Sequence, residues 1–237
     1  MAMRLSARGL YFLAAHEGIV PAPYLDSVGV WTYGIGHAET SGLAPNPRNM
    51  PRGMPDDLDA ELRRVFEVFR ADMEVFSAAV NRAVTVPMEQ HEFDAAVSFH
   101  FNTGGIGRAT WVKSWNAGDK EKAAREIMNW RKPPEIIGRR QAEQTLWAHG
   151  DYGNHRVAVF GVSASHQPLY RDVRRRLTQG DVMRLLGQGE VYPRPTARPD
   201  THETAPAAST PPDHKPSAVA AIFAALAAAF PFFNRRK

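Results

Sequence analysis

No cysteine occurs among the 237 residues. A disulfide framework, a thiol nucleophile and any Cys-ligated zinc or iron–sulfur site are therefore excluded, and packing alone must hold the fold. An export signal is also not expected. Met1 to Arg8 carries two arginines, but the apolar stretch Leu10 to Ala15 is short and runs into His16 and Glu17 instead of a small-residue cleavage site. The sequence thus predicts a chain made in the cytoplasm without a signal peptide. Charge of one sign is scarce as well, with 29 Lys plus Arg against 25 Asp plus Glu and a net charge of +4. That mild bias suits approach to a polyanion such as a bacterial cell wall, nucleic acid or acidic lipid without choosing among them. No internal repeat is present. With 43% apolar and 23% charged residues, the chain is neither collagen-like nor wholly disordered, and it is long enough for one core of ordinary size.

Composition divides the chain into four parts. Residues 191–216 hold many prolines among small and polar residues and almost no large apolar side chain, which predicts a disordered linker. Beyond it, Ser217 to Phe233 carries no charge and is followed by Arg235, Arg236 and Lys237. Residues 217–237 therefore read as an apolar tail with a basic end, suited to an anionic membrane. Residues 1–152 form the main domain and 153–190 a basic accessory extension.

The main domain reads mostly helical. Leu5, Leu10, Leu13 and Ala14 give a short amphipathic helix stopped at Gly18. Gly-punctuated runs from Pro21 to His37 predict a small β-hairpin or meander. A long helix starts at Asp56 or Asp57, with Leu58, Leu62, Val65, Phe66, Phe69, Met73, Phe76 and Val80 on one face. Pro87 opens a nearly all-apolar helix running to about Phe101, which should be the central buried one. Further helices are expected near 119–130 and 134–149, with Gly150 as the stop. In the extension, Val157 to Val162 reads as a strand, and Tyr170 to Leu177 and Asp181 to Leu186 as short helices.

Glu17, Asp26 and Thr32 are the densest polar signal. One carboxylate closes a helix and the other sits at a hairpin just after it, so the two can face each other across a cleft. Glycoside hydrolysis uses such a pair: one acid protonates the leaving oxygen while the other carboxylate orients water or attacks the anomeric carbon. By spacing alone this is a weak signal, since carboxylates at helix ends and turns are common and mostly solvated. No metal-ligand spacing and no cofactor motif is present.

The surrounding words sharpen it. His16-Glu17-Gly18, Tyr24-Leu25-Asp26 and Thr32-Tyr33-Gly34-Ile35-Gly36-His37 place eight residues between Glu17 and Asp26 and five between Asp26 and Thr32. Further on come Gln90 to Phe99 with Phe101-Asn102-Thr103-Gly104, then Trp130 and Gly138-Arg139-Arg140-Gln141-Ala142-Glu143. This ordered set resembles the phage-type lysozyme (endolysin) family, glycoside hydrolase family 24, over about residues 5–150.

The resemblance implies an α+β, mainly α, two-lobed fold, with a small N-terminal β lobe and a helical lobe around a substrate cleft. It implies a muramidase that acts without metal or cofactor, as a monomer, on the peptidoglycan glycan strands of the periplasmic wall, in a phage or phage-derived setting, with no nucleic-acid partner. Glu17 would be the general acid, kept protonated by burial, and Asp26 with Thr32 would position the water of an inverting reaction. Phe101 and Asn102 would line the cleft. Arg139 or Arg140 would pair with Glu17, with Arg140 preferred; such a pairing favours the ionised acid, so burial must outweigh it. His37 is implied to be structural, and Trp111, Trp115 and Trp130 fit core packing better than sugar stacking. A wall-binding or membrane-disrupting protein on the same fold, or a chitin-type hydrolase, are the alternatives.

Overall fold

A computed structural model describes residues 2–187; the proline-rich linker 191–216, the tail 217–237 and the membrane association expected of it lie outside the described residues. Among the described residues no helix is long and apolar enough to cross a membrane.

Ser6 starts the first helix, α1 (Ala7–Glu17), by accepting the Gly9 amide, and Gly18 ends it with its N–H on the Ala14 carbonyl. The chain then turns into a three-stranded antiparallel sheet of β1 (Val20–Leu25), β2 (Trp31–Gly34) and β3 (His37–Ala38). Strand β1 is not straight. Between the pairs Val20↔Gly34 and Tyr24↔Thr32 it advances four residues while β2 advances two. The bulge holds Pro21 and Pro23, which have no N–H to give a ladder.

Asp57 caps the 26-residue helix α2 (Leu58–Ala83), whose buried stripe of Leu62, Val65, Phe66, Phe69, Met73 and Val80 is the one the spacing predicts. Helix α3 (Gln90–Thr103) starts three residues after Pro87 and is the central buried helix, with a capping box between Glu89 and Glu92. Its Asp94 is fully buried and accepts from the Ser6 amide (3.1 Å), Gln90 Nε2 (2.9 Å) and Tyr152 Oη (2.7 Å), tying α3 to the start of α1.

Three helices complete the second lobe: α4 (Thr110–Asn116), α5 (Lys120–Ile127) and α6 (Ile137–His149). The sequence reading has no counterpart for α4, which is only seven residues long. Its tryptophans are core residues: Trp111 and Trp115 stack at 5.8 Å and meet Phe99 and Trp147 edge-on. Trp130 is partly buried against the same core, edge-on to Phe99.

The extension differs from expectation. Val157–Val162 is the predicted strand, β4, but residues 170–177 are not helical; they belong to a second strand, β5 (Pro168–Leu177), paired antiparallel with β4. Val157 and Val159 are fully buried in the main core, so the β4 backbone must find partners away from water. Pairing supplies them and overrides the helical preference of an Arg-rich run, which is a weak force. The helix expected at Asp181 to Leu186 is α7 (Gln179–Leu185), packed through Val182 and Met183. Residues 157–185 thus share the core of the preceding helices, and packing shows no break at residue 152.

Candidate active site

Glu17 is the last residue of α1, and its side chain is 10% exposed. It is held from α6: Arg139 Nη1 donates to Glu17 Oε1, while Arg139 Nε donates to Glu143 Oε1 at 3.0 Å. Ser98 Oγ also donates to Glu143 Oε1, at 2.7 Å. Burial penalises the Arg139 cation, but Glu17 and Glu143 more than compensate and raise its pKa above the ordinary guanidinium value. Arg139 is a permanently charged clamp between two carboxylates.

Arg140 does not take that place. It is fully buried, donating to Glu143 Oε2, to Asn102 Oδ1 and, from Nε, to the Trp130 carbonyl at 3.1 Å. Successive residues on a helix point about 100° apart, so only one of the two arginines can face Glu17, and the packing of α6 on α3 selects Arg139. Arg140 therefore joins α3, α6 and the Trp130 turn. Asn102, 4% exposed, is its partner on α3. Phe101 is 1% exposed and packs on Phe69 (5.9 Å) and Phe76 (5.1 Å). These three expected substrate contacts are core residues here.

Asp26 opens the turn between β1 and β2. Its Oδ1 accepts the amides of Val28 and Val30, both at 2.9 Å, and Gly29 N donates to its carbonyl at 3.1 Å. The carboxylate is thus fixed by the backbone of its own turn, as short acidic side chains often are. Thr32 lies on the central strand, its hydroxyl donating to the Val30 carbonyl at 3.2 Å.

Tyr24 is the cross-strand partner of Thr32. Its phenol pKa is raised, first by burial and then by Tyr170, Asp26 and Glu17. Asp26 follows the last β1–β2 pair, Leu25↔Trp31, so Asp26 and Thr32 flank one turn, while Glu17 is held at the end of α1 from α6. Sequence reasoning quoted Tyr24 without giving it a role, and it missed Tyr170 because that segment was read as a helix.

His37 is structural. It is 2% exposed, with Nδ1 2.9 Å from Asp72 Oδ2 and Nε2 2.7 Å from the Pro45 carbonyl. Burial alone would lower its pKa, but the Asp72 hydrogen bond and charge, with the Pro45 carbonyl, outweigh it and raise it above the ordinary 6.5. A His whose folded pKa is raised stabilises the fold fully below its unfolded pKa and loses that contribution as pH rises through the folded value. Asp72→Asn should therefore cost about 1.5–3 kcal/mol below the ordinary His pKa of about 6.5, a gap that shrinks as pH rises through the raised folded value. Parallel melts of the two proteins from acid to alkaline pH check it; a gap independent of pH would show that His37 does not titrate against Asp72.

A separate concavity, lined by Leu5, Ser6, Arg8, Arg70, Gln90 and Tyr152 among others, contains none of these acids. Among the described residues no group of three or more His, Cys, Asp or Glu is placed to hold a metal ion.

Comparison with known proteins identifies the family. The chain is 30% identical over 156 residues to the endolysin of Acyrthosiphon pisum secondary endosymbiont phage 1, covering 61% of this chain and 98% of that protein. Among solved structures, the endolysin of the Escherichia coli O157:H7 phage FAHEc1 superposes with a TM-score of 0.55 at 30% identity, over 65% of this chain and 98% of that one. The muramidase domain of SpmX from Asticaccaulis excentricus gives a TM-score of 0.50 at 25% identity, over 61% of this chain and 97% of that domain. The phage lysozyme family profile matches residues 14–143, a span that starts just before Glu17 and ends on Glu143, the far end of its clamp. A match over more than half of the chain, taking in both carboxylates and the arginine that holds one of them, makes this protein a member of the phage lysozyme family.

Proposed function

We propose that this chain is an endolysin-type muramidase that hydrolyses the β-1,4 bond between N-acetylmuramic acid and N-acetylglucosamine in peptidoglycan, with inversion. The observation that carries the reading is the pairing of two differently held carboxylates: Glu17 clamped by Arg139 from the helical lobe, and Asp26 fixed by two amides of its own turn. One support comes from helix α6 and the other from the β1–β2 turn, so the two carboxylates are held independently. Relatives named as endolysins and as a muramidase domain support the substrate.

In this mechanism Glu17 donates its proton to the departing glycosidic oxygen as the C–O bond breaks. Asp26, with Thr32, holds a water on the opposite face and takes its proton as the water oxygen bonds to the anomeric carbon. Asp26 then releases its proton to solvent and Glu17 takes one up, which restores both groups. Arg139 is a positioning residue that fixes the rotamer of the acid. Its charge is shared with Glu143, which Arg140 also neutralises, so the clamp does not present Glu17 with an undivided cation.

Asp26→Ala should lower turnover by about 10²–10⁴-fold, the usual worth of a general base. The product anomer, followed by proton NMR during the first minutes of wild-type cleavage, should have the configuration opposite to the substrate. Retained configuration would replace the water by a covalent intermediate on Asp26 and contradict the inverting assignment.

A further inference from the structure

The hairpin of β4 and β5 lies beyond the family match, which ends at residue 143. Its inner face nevertheless follows the strand that connects Glu17 to Asp26. At one end Ile19 N donates to the Ala158 carbonyl and Phe160 N to the Ile19 carbonyl, both at 2.8 Å. Gly18, next to Glu17, has a φ of 74°, and a Cβ on it would stand 2.6 Å from the Phe160 ring, so both backbone and space demand glycine. At the other end Leu25 N, next to Asp26, donates to the His166 carbonyl at 2.8 Å, and the His166 ring lies 5.2 Å from that of Trp31. Between these anchors Phe160 and Val162 pack on Val20, Ala22 and Tyr24.

The two strands of the hairpin are out of simple register. Phe160 pairs with Val173 while its neighbour Gly161 pairs with Leu169, so Tyr170, Arg171 and Asp172 form a bulge. Bulges re-aim side chains and gather beside active sites. This one is braced: Asp172 occupies the space where Gly161 would carry a side chain, and Arg174 Nε donates to Asp172 Oδ2 at 2.8 Å. The bulge sets the Tyr170 ring edge-on against Phe160 at 5.3 Å and leaves it 38% exposed. Phe160, on which the ring rests, closes over Gly18 beside Glu17, and burial and then the Asp26 charge raise the Tyr170 phenol pKa.

We propose that Tyr170, braced by Phe160, is a substrate-contacting residue: an aromatic platform, on the hairpin that runs along β1 between Glu17 and Asp26, on which a hexosamine ring of the glycan strand rests, making the β4–β5 hairpin part of the binding wall. The C–H face of a sugar packs on an aromatic ring, and the phenol tip can hydrogen-bond the ring's polar substituents. A rigid aromatic already held by its neighbour gives up little conformational freedom on binding. The proposal rests on the muramidase reading of Glu17 and Asp26.

The test uses the full chain and soluble glycan strands of alternating N-acetylglucosamine and N-acetylmuramic acid. In a Glu17→Gln background, where the strands stay intact, calorimetry should show Kd rising roughly three- to tenfold for Tyr170→Ala, the range of an aromatic contact, and staying near the parent for Tyr170→Phe. Tyr170→Leu keeps apolar bulk against Phe160 but removes the ring face, so melting curves of all three variants read beside their Kd separate lost contact from lost fold: Tyr170→Leu should bind as weakly as Tyr170→Ala while melting near the parent. With Glu17 restored, Tyr170→Ala should raise KM with kcat nearly unchanged. Unchanged or tighter binding by Tyr170→Ala would overturn the platform. A wild-type chain that releases no reducing ends from peptidoglycan would instead overturn the muramidase reading, and the binding arm would still decide on Tyr170.

Discussion

Glu17→Gln should lower turnover on purified peptidoglycan by about 10²–10⁴-fold, the contribution of a general acid in the transition state. The amide cannot give up a proton to the leaving oxygen. It can still accept from Arg139 Nη1 through its carbonyl, so the link between α1 and α6 survives and the fold should stay intact. Initial rates of reducing-end release, read beside melting curves of the same preparations, check both halves. Turnover within tenfold of wild type would remove Glu17 from the acid role; a collapsed melting temperature would mean that the carboxylate is chiefly structural.

Arg140→Ala should be the most destabilising single change near the site. Arg140 and Glu143 are 0% and 1% exposed, and their pairing is completed by Asn102 and the Trp130 carbonyl. Removing one partner of such a pair leaves polar groups buried without compensation, at a cost of about 3–5 kcal/mol. For a chain of this size that corresponds to a drop of roughly 6–20 °C in Tm. Differential scanning calorimetry measures it directly. A Tm within a degree or two of wild type would mean that water or neighbouring groups replace the guanidinium, and that the α3–α6 contact does not depend on it.

The distinction between Arg139 and Arg140 shows where reading a sequence runs out. Both arginines were in view as partners of Glu17. Which one faces the acid is set by the rotation of α6 about its axis, and that rotation is fixed by packing against α3, through contacts that local pattern does not contain. The burial of Phe101 and Asn102 has the same origin: the face of α3 that bears them points to Phe69, Phe76 and Arg140.

The catalytic words themselves were legible, because Glu17, Asp26 and Thr32 lie within sixteen residues of chain, where a helix end and one hairpin determine the geometry. Helices α2 and α3 were legible through their apolar periodicity. Helix α4, at seven residues, spans too few turns to show one. Strand β5 was misread because its Arg-rich run carries little apolar alternation; it is a strand only because β4, buried against α1 and β1, needs a partner. That dependence joins the two ends of the described chain, and it is why the Tyr170 side of the site was invisible before the fold was known.

The central claim is that this phage lysozyme family member cleaves peptidoglycan as a muramidase. Purified bacterial sacculi digested with the wild-type chain, reduced with borohydride and hydrolysed to their amino sugars, test it most directly. The account predicts that reduced muramic acid accumulates with wild-type protein and is nearly absent with Glu17→Gln. Accumulation of reduced glucosamine in its place, or equal release by both proteins, would contradict it.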